Sequence, residues 1–159
     1  DRVRKSSLSG TLWNAHWSDA PDWSKQKKTM SRVQQAGLTF ERKFGKTLRQ
    51  RFTEYDIRLG PWILYCDDSG WHYCQPDIVM LPPEGPAYLF ECKLKHKPEA
   101  EGKVRNLYVP ILHHLIKRPI APFQVCKHLG LYLDATYSLD SFEKVANADP
   151  DEYRIIHHV

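Results

Sequence analysis

Apolar positions along this 159-residue chain follow a helical rhythm first and a strand rhythm afterwards. Across 30–52, Val33, Phe40, Phe44, Leu48 and Phe52 recur at spacings of four or near its multiples, the pattern of a helix burying one face. Arg42, Lys46 and Arg49 fall on a different face of it. Gly37 and Gly45 interrupt the stripe, each at up to ~1 kcal/mol in a helix interior, and Gly37 offers an alternative start for a shorter helix. Past Pro61 the pattern turns to short apolar runs separated by turn residues. A strand is expected over 62–66, a hairpin turn at Asp67-Asp68-Ser69-Gly70, and a second strand over 71–81 whose half from Ile78 to Leu81 is solidly apolar. Pro82-Pro83-Glu84-Gly85-Pro86 makes the next turn, and a third strand is expected over 87–94. Leu107, Ile111 and Leu115 predict a helix over 102–118, with Pro110 either kinking it or lying in its first turn and Pro119 ending it. A strand over 120–126 follows, weakened by Pro122. Then come a short helix over 141–145, with Asp140 and Glu143 spaced as a capping-box variant, and a last strand over 153–156.

This order, α-β-β-β-α-β, predicts an α/β fold with a mixed central sheet flanked by helices. It divides the chain into an irregular segment, 1–28, and a single domain, 29–159. The segment carries Trp13, Trp17 and Trp23 and the basic run Lys25, Lys27 and Lys28. No GxGxxG or GxxxxGK[ST] run is present, so the sequence lacks the dinucleotide and P-loop fingerprints.

Charge changes the picture more than composition does. The formal charge is +4, but 1–60 holds thirteen basic against six acidic residues and 128–159 two against six. The basic excess therefore lies in the first third, which points to a polyanionic partner on that side. The four cysteines form no CxxC pair, which argues against a zinc ribbon, and three lie in apolar runs as small buried hydrophobes. No apolar run approaches the ~20 residues of a membrane span, so no membrane partner is expected. The opening Asp1-Arg2-Val3-Arg4-Lys5 lacks a signal-peptide core. The expectation is an intracellular, cytoplasmic protein with reduced thiols, acting at nucleoid DNA if bacterial or phage.

Chemistry concentrates in the third strand, Tyr88-Leu89-Phe90-Glu91-Cys92-Lys93-Leu94-Lys95-His96-Lys97. Strand alternation puts Phe90, Cys92 and Leu94 on an apolar face and Glu91, Lys93, Lys95 and Lys97 on the other. Pro76-Asp77 lies in the preceding strand, and pairing across the Pro82–Pro86 turn would bring Asp77 beside Glu91. Two adjacent carboxylates repel, and a hard divalent cation resolves that, since Mg²⁺ takes oxygen ligands from one or two carboxylates with waters and phosphate completing its shell. Lys93 would then stand beside an attacking water or a scissile phosphate. The bland alternative is a solvated Glu91–Lys93 ion pair and Asp77 as a strand-end cap.

These residues resemble the PD-(D/E)xK nuclease superfamily, with Pro76-Asp77 as the PD element and Glu91-Cys92-Lys93 as the ExK element, over roughly 38–127. The resemblance implies a restriction-endonuclease-like core and hydrolysis of DNA phosphodiester bonds. It implies Mg²⁺ or Mn²⁺ held by Asp77, Glu91 and the Cys92 carbonyl, and Lys93 positioning the nucleophilic water. Members often carry a further Glu on the first helix, which here is Glu41, and some place a Gln after the second helix, for which Gln124 in its expected strand is the weaker match. Many members act as dimers, so a homodimer and a monomer both stay open.

Lys95 and Lys97 extend the site face, Lys103 and Arg105 follow the strand's exit, and Arg42 and Lys46 with Lys43, Arg49 and Arg51 could track phosphates. The tryptophans could stack on bases but more often cover a core. His113-His114 and His157-His158 diverge too far to chelate one ion as pairs, and no Ser-His-Asp spacing stands out. Two rival classes accompany the nuclease: a non-catalytic nucleic-acid-binding module on the same fold, and a protein-interaction domain using the tryptophans and the acidic tail.

Overall fold

A computed structural model describes residues 5–26 and 29–159. Lys27 and Lys28 of the basic run, and Arg2 and Arg4, lie outside the described residues. Two sheets share the domain. Strands β1 (Asn14–Ser18), β3 (Trp62–Asp67) and β4 (Gly70–Cys74) form a three-stranded antiparallel sheet in the order β1-β3-β4. The main sheet is six-stranded and mixed. It joins β2 (Asp56–Leu59), β5 (Ile78–Leu81), β6 (Ala87–Lys95), β7 (Ile120–His128), β8 (Thr136–Tyr137) and β9 (Arg154–His157) in the order β2-β5-β6-β7-β9-β8. The β2–β5 and β5–β6 pairs are antiparallel, and β6–β7, β7–β9 and β9–β8 are parallel.

Helix α1 (Arg32–Arg51) begins at Ser31, whose hydroxyl accepts from the Gln34 amide while the Gln34 side chain returns to the Ser31 N–H. It buries Phe40, Phe44 and Leu48 against Phe90 and Phe123 on one face of the main sheet. Val33 is a correction to the expected stripe, because it stands 74% exposed, one residue into the helix and beyond the sheet. The helix runs through both glycines. Gly45 lets α1 pack close on β2, since a Cβ there would lie 2.8 Å from Leu59 Cδ2.

The other face is covered by one continuous helical run, α2 (Ala100–Lys103), a π turn (Val104–Tyr108) and α3 (Val109–Ile116). Pro110 sits in the first turn of α3. Having no N–H, it cannot bond the Asn106 carbonyl, and that oxygen instead accepts from the Leu8 amide at 3.1 Å. A helix-breaking residue thus ties the N-terminal segment to the domain. Helix α4 (Phe142–Ala148) starts at Ser141. The expected Asp140–Glu143 box does not form, and Ser138 and Ser141 exchange the local hydrogen bonds.

Three expectations are revised. The run 71–81 is not one strand: Pro76 has no donor for a ladder, and the chain crosses from β4 in the small sheet to β5 in the main sheet at Gln75-Pro76-Asp77. The strand that flanks β5 is β2, absent from the sequence reading, so 62–66 belongs to the small sheet instead. And 1–28 is not wholly irregular, since it contributes β1 and a 3₁₀ turn (Asp22–Lys25). The Asp67-Asp68-Ser69-Gly70 hairpin holds that segment down. Buried Asp67 accepts from Lys5 Nζ, the Ser9 amide and Ser69, and Asp68 accepts from Trp13 Nε1 at 2.6 Å. Burial opposes the Asp67 charge, but those donors hold its carboxyl well below the usual range. Trp23 packs edge-on against Trp62 and Tyr73, the covering role expected of a tryptophan.

Tyr65 is fully buried between the small sheet and the helices, with its hydroxyl unpaired among the described residues. Tyr65→Phe should therefore leave stability unchanged or raise it by up to ~1 kcal/mol, read as the urea midpoint. A clear loss would reveal a buried partner for that oxygen.

Candidate active site

Asp77 lies one register step beyond the Ile78↔Phe90 pair, opposite Glu91 on β6. At this point side chains replace the ladder. The Asp77 amide donates to Glu91 Oε1 at 2.9 Å, and the Cys92 amide donates to Asp77 Oδ2 at 2.8 Å. The Asp77 carbonyl accepts from the Gly60 amide at 2.6 Å, in a turn where Gly60 has φ +56°. Each carboxylate is thus locked by the other's strand. Among the described residues, Asp77 Oδ1 and Glu91 Oε2 take no hydrogen bond, so each group keeps one uncommitted oxygen.

The electrostatics of this pair are unfavourable as they stand. Glu91 is 7% exposed, and burial pushes its carboxyl up, with the Asp77 charge adding to it; the Asp77 amide, Lys93 and Lys103 work in the opposite direction. Burial likewise raises Asp77 against the Cys92 amide and the two lysines. Glu41, half-buried on α1, is pushed up to about 7 by burial and by the Asp77 charge, eased by Arg42 and Lys93. Asp77, just before β5, therefore acts on both Glu91 of β6 and Glu41 of α1. Lys93 lies near all three, yet no ion pair joins it to any of them among the described residues, so the bland Glu91–Lys93 pair is not formed. The Cys92 thiol is raised well above its usual range by burial and then by the same carboxylates, which leaves it protonated and poorly nucleophilic.

The donor set fits a hard divalent cation in chemistry: clustered carboxylate oxygens, two of them uncommitted. No three or more His, Cys, Asp or Glu side chains among the described residues form a ready-made cage. Mg²⁺ does not require one, because it ordinarily keeps several waters and takes only one or two carboxylates with substrate phosphate.

The remaining expected site residues separate into two groups. Exposed Arg42, Lys46, Lys95 and Lys97 are free to meet a polyanion. Lys103 is half-buried, its ammonium 5.3 Å from the Tyr108 ring centroid and its charge acting on Asp77 and Glu91, so it belongs to the carboxylate cluster rather than to an outlying grip. Arg105 is engaged, pairing with Glu101 at 2.6 Å and the Asp151 carbonyl at 3.1 Å. Gln124 is fully buried: its Oε1 accepts from the Lys97 amide, and its Nε2 donates to the Lys97 carbonyl and to Tyr153 Oη, each at 2.8 Å. It clamps the backbone that carries Lys97, so its amide is committed within the fold. The sequence reading missed Tyr108, buried near Glu91 and Asp77 and donating its hydroxyl to the Gln75 carbonyl at 3.4 Å. Its signal was the five-residue spacing from Lys103, which only a π turn brings towards one side. Of the histidine pairs, His158 packs on Phe44 and His157 meets the Lys127 carbonyl.

No protein-family model matches the chain, and no curated protein is similar to it.

Proposed function

We propose that this protein is a metal-dependent nuclease of the PD-(D/E)xK type that hydrolyses DNA phosphodiester bonds. The observation that carries the reading is the reciprocal lock of Asp77 and Glu91, a half-buried and a buried carboxylate held together with one oxygen each left over. A fold does not otherwise gain by holding two such charges side by side. The order α1, β2, β5, β6, α2–α3, β7, with Asp77 before the second strand and Glu91-Cys92-Lys93 on the third, supports a restriction-endonuclease-like core.

Asp77, Glu91 and the Cys92 carbonyl would hold the ion, with Glu41 beside them. Bound there, Mg²⁺ or Mn²⁺ would lower the pKa of a water and offset charge on the phosphorane-like transition state. Lys93 holds the attacking water by hydrogen bond or neutralises a phosphate oxygen as the phosphorus–oxygen bond to the leaving alcohol breaks. Lys103 moderates the charge of the carboxylate cluster, and Lys95 and Lys97 hold the flanking backbone.

Cleavage of a DNA panel (supercoiled, linear duplex, single-stranded, branched) with Mg²⁺, Mn²⁺ or EDTA tests this, with Asp77→Ala and Lys93→Ala alongside. Metal-dependent cleavage lost in both variants is the expected result. Binding without cleavage on every substrate would favour the non-catalytic module, and cleavage surviving both substitutions would move the site elsewhere.

A further inference from the structure

Between β7 and β8 the loop 129–135 stands over the exit of β6. Leu131 is 94% exposed and Leu133 95%, the two most exposed large apolar side chains among the described residues. Tyr132 between them turns inward, its ring 4.5 Å from that of His96. The Tyr132 amide closes a turn on the Leu129 carbonyl, Gly130 has φ +63°, and a Cβ at Gly130 would lie 2.8 Å from Lys95 Cε. The His96 amide donates to the His128 carbonyl at 2.9 Å. The loop is therefore pinned to the strand that carries Glu91 and Lys93, and its two leucines are displayed as a pair.

Resting on the nuclease reading above, we propose that this loop is a wedge: on a duplex lying across the site, Leu131 and Leu133 enter between bases and unstack a step. Charge complementarity selects the occupant. Around the loop, the end of β6 and the chain just after it expose Lys95 and Lys97 and the end of β7 exposes Lys127 and His128, and none of the three lysines is ion-paired among the described residues; Asp134 is the loop's one acidic residue. Size points the same way. Two side chains fall far short of the ~800 Å² that each partner buries in a stable protein interface, but apolar wedges of one or two residues suffice to unstack a base step. Three residues of strand separate Lys93 from His96, about 10 Å at 3.3 Å per residue. At 3.4 Å per base pair the opened step lies roughly three pairs from the phosphate over Lys93. The inferred substrate is a duplex opened near the cut, such as an end or a junction.

The test uses the full chain and its Leu131→Ser/Leu133→Ser variant with short duplexes carrying 2-aminopurine at successive positions, in EDTA so that nothing is cut. Wild type is expected to raise the analogue's fluorescence several-fold at a restricted set of positions. The variant, folded by circular dichroism, should leave it dark and bind duplex roughly tenfold more weakly. Cleavage of single strands with Mg²⁺ should be the same in both. An analogue that stays dark with wild type, an equal rise with the variant, or no duplex binding at all would each overturn the wedge. Loss of binding to anionic vesicles by the variant, with the analogue dark throughout, would overturn it in favour of a lipid surface. The two readings fail separately: a bright analogue with no cleavage on any substrate removes the nuclease, and cleavage with a dark analogue removes only the wedge.

Discussion

Lys93→Met is expected to bind Mg²⁺ at least as tightly as wild type and to cleave DNA roughly 100- to 1,000-fold more slowly, the usual cost of losing one group that stabilises charge only in the transition state. The sign of the binding effect follows from position. Lys93 lies near Glu41, Asp77 and Glu91, so its charge opposes an incoming cation, and removing it removes that opposition. Asp77→Asn separates the two roles. It keeps an oxygen that can accept the Cys92 amide, and hence the lock on β6, but it removes a charge. Metal affinity should fall about tenfold or more, and cleavage with it. The metal-free Asp77→Asn protein should be at least as stable as wild type, because the repulsion with Glu91 is gone. Calorimetric titration with Mn²⁺, single-turnover cleavage and thermal melts together read these outcomes. Wild-type cleavage by Lys93→Met would take that residue out of the mechanism, and wild-type affinity in Asp77→Asn would place the metal elsewhere.

The second large effect couples pH to the metal. Glu41 is raised from 4.5 to about 7, and Asp77 and Glu91 are raised as well. A raised carboxyl binds its proton more tightly in the folded than in the unfolded chain, so between pH 4.5 and 7 folding takes up protons. The contribution of Glu41 to stability therefore declines as pH rises through that window. Metal binding runs the other way, since it needs the carboxylates ionised. Melts with and without Mg²⁺ should show little stabilisation at pH 5.5 and a large one at pH 8. With the ion at a hundred times its Kd the gain is about 2.7 kcal/mol, or roughly 5–10 °C for a domain of this size. Glu41→Gln should flatten the metal-free pH dependence between 4.5 and 7. Equal stabilisation by Mg²⁺ at both pH values would mean that the ion does not bind at these carboxylates.

How much of this was legible in the sequence differs from residue to residue. Period-two alternation along β6 placed Glu91 and Lys93 on one face and Phe90, Cys92 and Leu94 on the other, because a strand's pleat allows no other arrangement. The Pro82–Pro86 turn joined β5 to β6, and that pairing alone brought Asp77 opposite Glu91. The stripe of Phe40, Phe44 and Leu48 likewise specified which face of α1 is buried, and with it that Glu41 lies at the margin of the contact. These are local consequences of backbone geometry, and a one-dimensional pattern carries them.

Other features depend on which element packs against which. The break at Pro76 was visible as a missing donor, but only the packed molecule sends β4 to one sheet and β5 to another, because the choice turns on which edge is open to pair. Strand β2 has only four residues, too few for its polar–apolar alternation to stand out, and it exists because β5 offers it an edge. Gln124 reads on paper as a polar residue available to a substrate; burial between β6 and β9 instead spends its amide on the Lys97 backbone. The same holds for Arg105, whose charge is met by Glu101 four residues earlier and by a carbonyl forty-six residues later. Sequence alone thus determined which side chains carry chemistry and on which face of their own element they stand, since φ/ψ periodicity acts within a few residues. Tertiary structure decided which of them remain unspent, since that depends on partners brought close from far along the chain.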